Sequence, residues 1–398
     1  MLKKALFLVT LSVQVFYAQS LDSLLELVET KNYILKAKEV KIKSNLVDEQ
    51  LSSTWSNPVI GIGVSDINLD EPTARDIEAM QTQFITYSQV IPTNGKLELS
   101  NEIRKYDTQI SELAYADFKQ KLQSEVILYG YNIYYNNEKL TVLEKYLKNL
   151  EHQKKLMNLL YENGKLDQSS LVTQDIKIYK LNLQKQKILY SISKMKKNLE
   201  NIVYTKIDTI TLGDLFANFT IDIHNILENH PLILMEKEKI KQQSQKIALE
   251  NSKKISDVKL TVGYYQRERF DDYVSLNVSI PLSIQGREKL EIKKSKIEKN
   301  IIEDKLRGLQ QQIKSTIEDL QENIKLSKQN FILIDETMIP LNDTLEQSHK
   351  MHLSANTMQS IQVYESTNSK LELLLLSQDE KINYYNALSK LYYFKGQL

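Results

Sequence analysis

Apolar residues along this chain follow two periods, and the order in which the periods come is repeated. From Leu21 to about Thr54 the apolar positions Leu21, Leu24, Leu25 and Val28, then Ile42 and Leu46, recur at three- and four-residue spacing, which predicts a helix. A counterpart runs from about Ile223 to Lys254, with Glu29 to Leu35 aligning on Glu228 to Leu234. In each half the period then drops to two. Ile60, Ile62 and Val64 alternate with Gly61, Gly63 and Ser65, and Ile85, Tyr87 and Ile91 alternate less cleanly with Thr86, Ser88 and Val90. In the second half Val258, Leu260, Val262 and Tyr264 alternate with Lys259, Thr261, Gly263 and Tyr265, and Val274, Leu276, Val278 and Ile280 with Ser275, Asn277 and Ser279. Period two predicts strands with one apolar face and one polar or small face. Each run is about ten residues, the length of a tilted strand crossing a bilayer. The links from Ile67 to Gln81 and from Arg267 to Asp272 are polar and read as external loops.

After Gly95 and again after Gly286 the pattern becomes heptads. Leu140, Leu143, Leu147, Leu150, Met157 and Leu160 form one seam; Leu306, Leu309, Ile313, Leu320, Ile324, Phe331, Ile334 and Met338 form the other. A helix of roughly 65 residues reaches about 100 Å at 1.5 Å per residue. Gly130, Gly308 and Pro340 are expected to interrupt these runs, with Pro340 bending its helix or marking a local break. Turns are expected at Tyr161 to Asp167, where Asn163-Gly164 is a strong signal, and at His352 to Thr357. Helices then return over Leu171 to Val203 and Ile361 to Phe394, and Tyr204 to Thr220 reads as a short strand-and-loop segment beside the helices. The expected organisation is a first repeat over 19–204, an inter-repeat equatorial segment over 205–221 and a second repeat over 222–398.

Composition narrows the class. Among 398 residues, 52 Lys and Arg balance 51 Asp and Glu, so nothing electrostatic points to nucleic acid. Ten glycines and six prolines are few for this length, which suits long unbroken helices. Lys3 and Lys4 followed by apolar Ala5 to Val15 read as a signal peptide over residues 1–18, cleaved after Ala18, the alternative being an N-terminal anchor. There is no cysteine, which excludes disulfides, thiolate metal sites and a lipidated N-terminal cysteine. No other stretch is apolar enough for a membrane helix, so any crossing must use strands. No phosphate-cradling loop, Ser/His/Asp spacing or H-E-x-x-H motif argues for an enzyme, and no cofactor is expected. His349, Met351 and His352 cluster before the second turn as weak candidates for a soft metal; no metal site is assigned.

A half-buried strand in a soluble sheet would show the same alternation, but no short amphipathic helices accompany these four strands to cover a sheet. Four strands cannot close a membrane barrel, and an open edge in lipid leaves backbone groups unpaired at several kcal/mol each. The chain must oligomerise if it inserts. Two copies would give eight strands with a filled interior; three would give twelve and a lumen. Gly61, Gly63, Thr261, Gly263, Ser275, Asn277 and Ser279 fit a hollow interior.

The repeat, the Ile91-Pro92…Gly95-Lys96 and Ile280-Pro281…Gly286-Arg287 strand-to-helix junctions, and the Tyr161…Gly164 turn resemble the TolC-type outer-membrane efflux family over essentially the whole mature chain. The second turn, Ser354-Ala355-Asn356, departs from the pattern in lacking glycine. The resemblance implies a mainly α fold with a small β part: a homotrimeric α-barrel of long coiled-coil helices in the periplasm, continuing into an outer-membrane β-barrel with four strands from each protomer. It implies an exit duct in a Gram-negative outer membrane, working with a periplasmic adaptor and an inner-membrane pump. An outer-membrane component of type I protein or peptide secretion is the alternative, and a secreted coiled-coil adhesin or adaptor a further one. Within the family, the short length, the absence of a lipid anchor and Gln89 to Lys96 look most similar to the heavy-metal cation efflux branch. On this reading Asn163, Gly164, Lys165, Leu166, Ser354, Ala355, Asn356 and Thr357 are candidates for adaptor docking, and Asp167, Asp175 and Glu365 for rings of pore charge. Pro92, Gly95, Pro281 and Gly286 mark the strand-to-helix junctions.

Overall fold

The structure is a computed structural model that describes residues 19–213, 216, 219–351 and 357–395. The expected signal peptide therefore lies outside the described residues. The elements run β1 (Gln19–Ser20), α1 (Leu21–Lys31), α2 (Tyr33–Ser52), β2 (Val59–Ser65), β3 (Thr82–Ile91), α3 (Lys96–Glu162), α4 (Gln168–Val203), β4 (Ile210–Thr211), α5 (Ile223–Asn229), α6 (Pro231–Ser252), β5 (Val258–Gln266), β6 (Tyr273–Ser279), α7 (Arg287–Leu333), a π turn (Ile334–Met338), α8 (Ile339–Met351) and α9 (Thr357–Lys395). Each half thus carries two helices, two strands and two long helical runs in the same order. No described helix is long and apolar enough to cross a membrane.

The described residues fall into two compact units: those within 19–35, 118–226 and 313–395 in one, 36–117 and 227–312 in the other. The first unit holds most of the apolar core, including Leu24, Val28, Val126, Ile127, Leu143, Leu150, Leu199 and Ile317. The expected first heptad seam is this core, with Leu143, Leu147, Leu150, Met157 and Leu160 all buried. The segment between the repeats contributes β4, which pairs in parallel with β1, and Phe216, whose ring packs on Tyr131 and Tyr385.

The second unit holds the sheet. Its order is β2-β3-β5-β6, antiparallel throughout. Its helices bury amides as well as hydrocarbons: Gln242 donates to Ile103 O, Gln243 to Ser295 O, and Asn45 to Asp107 O.

Four expectations are corrected. The single helix expected over Leu21 to Thr54 breaks at Asn32, whose side chain accepts from Leu35 N (2.9 Å) and donates to Ile202 O (2.9 Å), capping α2 while tying it to the end of α4. Its counterpart over Ile223 to Lys254 breaks at His230, which caps α6 ahead of Pro231. Gly130 and Gly308 interrupt nothing: a single glycine costs about 1 kcal/mol in a helix but keeps its N–H. A side chain at Gly130 would begin 2.7 Å from Leu21 Cδ1, so glycine there admits a neighbour. Finally, the second seam does not continue to Met338, which is exposed. The π turn before Pro340, in which Ile339 N–H reaches back five residues to Ile334 O, inserts one residue. The buried face therefore steps from Ser327 to Ile334 by seven residues and on to Asn342 by eight.

Candidate functional site

The sheet separates two chemistries. On one face the rows Ile60–Tyr87–Val262–Leu276 and Ile62–Ile85–Tyr264–Val274 are apolar and run straight across all four strands. These side chains are uncovered, with Ile62 81% and Leu276 68% exposed. The other face carries Gly61–Thr86–Gly263–Ser275 and, toward the helices, Ser88, Thr261 and Asn277. Hydroxyls bond across the strands there: Ser88 with Thr261 at 2.8 Å, Ser65 with Thr82 at 2.6 Å. Most residues of the polar face are half-buried or buried while those of the apolar face are exposed, so the polar side is the more enclosed one. This inverts a soluble protein, where the apolar face is the covered one. The outer strands β2 and β6 pair over seven residues rather than about ten. Each has a neighbour on one side only and stops short of it: β3 runs on past Ser88 to Ile91, and β5 extends beyond Lys259 and Tyr265 at both ends.

The two junctions share a left-handed glycine but differ in their turns and anchors, Asn94 being left-handed as well at the first. Gly95 and Gly286 have φ of +69° and +74°, a conformation that costs a residue with a Cβ, and each starts a long helix. At the first, Asp257 gathers three donors: Thr93 N at 2.9 Å, Thr93 Oγ1 at 3.5 Å and Lys96 Nζ at 2.6 Å. Asn94 Nδ2 donates to Ser252 O at 3.0 Å. Burial raises the Asp257 carboxyl, but Lys96 and Thr93 outweigh it and hold it below the ordinary value. A depressed carboxylate stabilises the fold above its unfolded pKa and loses that contribution as pH falls through its folded value. Acidification from pH 6 to pH 3 is therefore expected to lower the amide protection factors, taken against the intrinsic exchange rate at each pH, across residues 91–99. Asp257→Asn should remove that pH dependence and cost about 1 kcal/mol, the low end for a charged hydrogen bond because the carboxylate is partly exposed. An unaltered exchange profile in Asp257→Asn would remove this anchor. At the second junction Pro281 is followed by Leu282 and Ile284, both largely exposed, and Arg287 is exposed.

The first helix turn is a Schellman cap. Gly164 sits at φ +69°, its N–H reaches Tyr161 O (2.9 Å), and Lys165 N reaches Leu160 O (2.8 Å). Asn163 Nδ2 donates to Leu159 O at 2.6 Å. Asp167 is the N-cap of α4, accepting from Ser170 N at 3.0 Å and from the Ser169 hydroxyl at 2.9 Å. The Ser170 hydroxyl and amide hold its carboxyl below the ordinary value. Lys165 is exposed and Leu166 half-buried. Asp175 forms an ion pair with Lys154 of α3, and Glu365 is exposed on α9. Ser354, Ala355, Asn356 and His352 lie outside the described residues, as does the side chain of Thr357. His349 Nδ1 lies 3.2 Å from Gln362 O and Met351 is exposed. Among the described residues no three His, Asp or Glu side chains come together as a metal site.

Sequence reading missed two features. Polar pairs link α3 to α9 at heptad intervals: Asn132 with Asn386, Lys139 with Asp379, Tyr146 with Glu372. Burial first, then the Glu372 hydrogen bond, keeps the Tyr146 hydroxyl protonated. The seven-residue steps were visible in both helices, but their antiparallel register was not. The second feature is a set of uncovered heptad stripes. On α4, Val172, Ile176, Tyr179, Leu183 and Tyr190 share one exposed face. On α7 and α8, Leu326, Leu333, Leu341 and Leu345 do, with the same one-residue shift across the π turn.

No protein-family model matches the chain, and no curated protein matches it in sequence. Solved structures do match in shape. The outer-membrane channel OprN aligns over 95% of this chain and 90% of its own, at 10% identity and a TM-score of 0.78. The CmeC outer membrane channel of Campylobacter jejuni covers 94% of this chain and 85% of its own, at 14% identity and 0.76. The open state of the MtrE outer membrane channel of Neisseria gonorrhoeae covers 95% and 91%, at 12% identity and 0.64. At these identities the likeness is one of fold. The chain has the fold of the TolC-type outer-membrane channels.

Proposed function

We propose that this protein is a passive exit duct of the outer membrane, built as a homotrimer and served by a periplasmic adaptor and an inner-membrane pump. One observation carries the reading: an open four-stranded sheet bares its apolar face and leaves one edge of β2 and one of β6 unpaired among the described strands. In lipid the bare face is solvated, and the free edges must find each other. An even number of antiparallel strands makes β6 of one copy antiparallel to β2 of the next, so head-to-tail pairing closes a ring. Three copies give twelve strands, and the polar, more enclosed face becomes the lumen. The exposed stripes on α4 and α7–α8 supply the matching helical seams, as heptad apolar positions do in coiled coils. A passive duct needs no catalytic group. The heavy-metal cation branch is proposed as the cargo class on the sequence resemblance alone.

The internal repeat supplies the register of the closing pair. Gly63 pairs with Phe84, and its counterpart Gly263 pairs with Ser275, so the two hairpins are equivalent residue for residue. The β3–β5 pairing of Phe84 with Tyr265 then translates to Ser275 opposite Ser65 of the next copy. Likewise the Lys96–Asp257 contact translates to Arg287 beside Asn57 of the next copy. The natural chain has no cysteine. Ser65→Cys with Ser275→Cys is expected to give oxidised dimers and trimers on a non-reducing gel, whereas Ser65→Cys with Leu276→Cys, on opposite faces, should not. Equal cross-linking by both pairs, or recovery of the protein as a soluble monomer, would overturn the trimeric duct.

The helix tip is proposed as the adaptor-docking end. Deleting Asn163 to Asp167 removes both caps of the turn but no residue of the sheet. Insertion and trimer yield should persist while export falls to the background of a null strain. Export at the normal rate would move the docking site elsewhere.

A further inference from the structure

The polar face of the sheet holds one row that does not fit a simple water-filled lining. Phe84, Tyr265 and Tyr273 lie side by side on β3, β5 and β6, at the loop end of the sheet. Tyr265 and Tyr273 are parallel within 2° at 4.8 Å between centroids, and Phe84 is 5.5 Å from Tyr265. Glycines decide how the rings lie. A Cβ at Gly63 would fall 2.5 Å from the Phe84 ring, and one at Gly263 would fall 2.6 Å from the Tyr265 ring. The two rings therefore rest against the sheet where side chains are missing, lining the wall instead of projecting across it. That geometry suits contact with a passing molecule and is poor for blocking it.

The chemistry of the row is already in use once. The guanidinium of Arg267, itself a planar cation, stands 5.3 Å from the Tyr273 ring centroid and 5.4 Å from that of Phe270. Phe84 and Tyr265 have no such cation over them among the described contacts. The two loops beyond the row, residues 66–81 and 267–272, carry eight acidic side chains against three basic ones. Ring faces attract cations through their quadrupole, and the acidic loops set the sign of the local field. We propose that Phe84 and Tyr265 form a transit site for planar organic cations at the outer end of the lumen. The inference rests on the duct reading in that it takes this face as the lumen wall.

The test uses the full-length protein in planar bilayers, with ethidium as the planar cation and tetrabutylammonium as a non-planar one. Ethidium added on the loop side is expected to block the current at a concentration about tenfold below tetrabutylammonium, and Phe84→Leu with Tyr265→Leu to raise that concentration about tenfold, in the range of a lost cation–π contact. Leucine keeps the apolar area, so the loss reports the rings. Ethidium anisotropy on the detergent-solubilised protein gives a second reading that needs no conductance. Channels blocked equally by both cations, or block unchanged in the leucine variant, overturn the site and leave the duct standing. A variant that conducts several-fold more than the natural protein, with no ethidium block in either, identifies the row as a constriction and also overturns it. Absence of channels with ring-dependent ethidium binding supports the site while the duct reading fails; absence of both overturns the two together.

Discussion

Leu276→Arg is expected to abolish the membrane-inserted trimer. Leu276 is the middle residue of β6 and the end of the row Ile60–Tyr87–Val262–Leu276, and it is exposed. A cation at the bilayer midplane on a barrel wall costs about 2–4 kcal/mol. Every copy carries the change, so a trimer bears on the order of 6–12 kcal/mol, comparable to the whole stability of an ordinary domain. The control is one residue away. Ser275 faces the opposite side of the sheet, and Ser275→Arg should leave trimer yield within about a factor of two while altering conductance. Heat-modifiable trimer in the outer-membrane fraction is the readout. Equal loss from both substitutions would mean that the two faces do not differ in environment, and the sheet would not be a membrane wall.

The second large effect is expected on α4. Tyr179 and Leu183 are 68% and 64% exposed, four residues apart on a stripe that continues to Val172, Ile176 and Tyr190. Burying such a side chain is worth about 2 kcal/mol. Two positions at each of three interfaces amount to on the order of 12 kcal/mol per trimer. Tyr179→Lys with Leu183→Lys is therefore expected to give a helical but monomeric protein in detergent, read by circular dichroism together with light scattering. The core positions Ile188, Ile192 and Leu199 are untouched, so the helix itself should survive. An intact trimer would show that this stripe faces water.

These predictions divide between what could be read along the chain and what needed three dimensions. Both hairpins were legible because alternation of period two is local: each apolar residue of the Ile60 and Leu276 rows is set by its own neighbours. The long helices were legible for the same reason, and α3 runs 67 residues against an expected 65 or so. Their ends were legible where the backbone demanded a residue type, as at Gly95, Gly164 and Gly286 with their positive φ. The breaks at Asn32 and His230 were not, since Asn32 acts partly through Ile202, 170 residues away. Nor was the π turn. Proline announces a disturbed hydrogen bond, but whether the helix bends, stops or gains a residue depends on what its face must meet on either side.

The candidate site divides likewise. The turn at Asn163-Gly164 could be assigned from residue type, yet the engagement of Asp167 as a cap and of Asp175 with Lys154 came only from the folded chain. Nothing local singles out Asp257, which precedes β5; its role as an anchor comes from its contacts with Thr93 and Lys96, more than 160 residues away.

By itself the sequence determined the periodic elements, their repetition and the presence of two unlike faces on four strands, because these depend on interactions within a few residues. Only the tertiary structure decided which face is the more enclosed, which strands stand at the edges and which helical stripes lack a partner. Burial is a property of the whole packed arrangement, and the same alternation of apolar and polar residues serves a soluble core or a membrane wall according to which side the rest of the chain leaves bare.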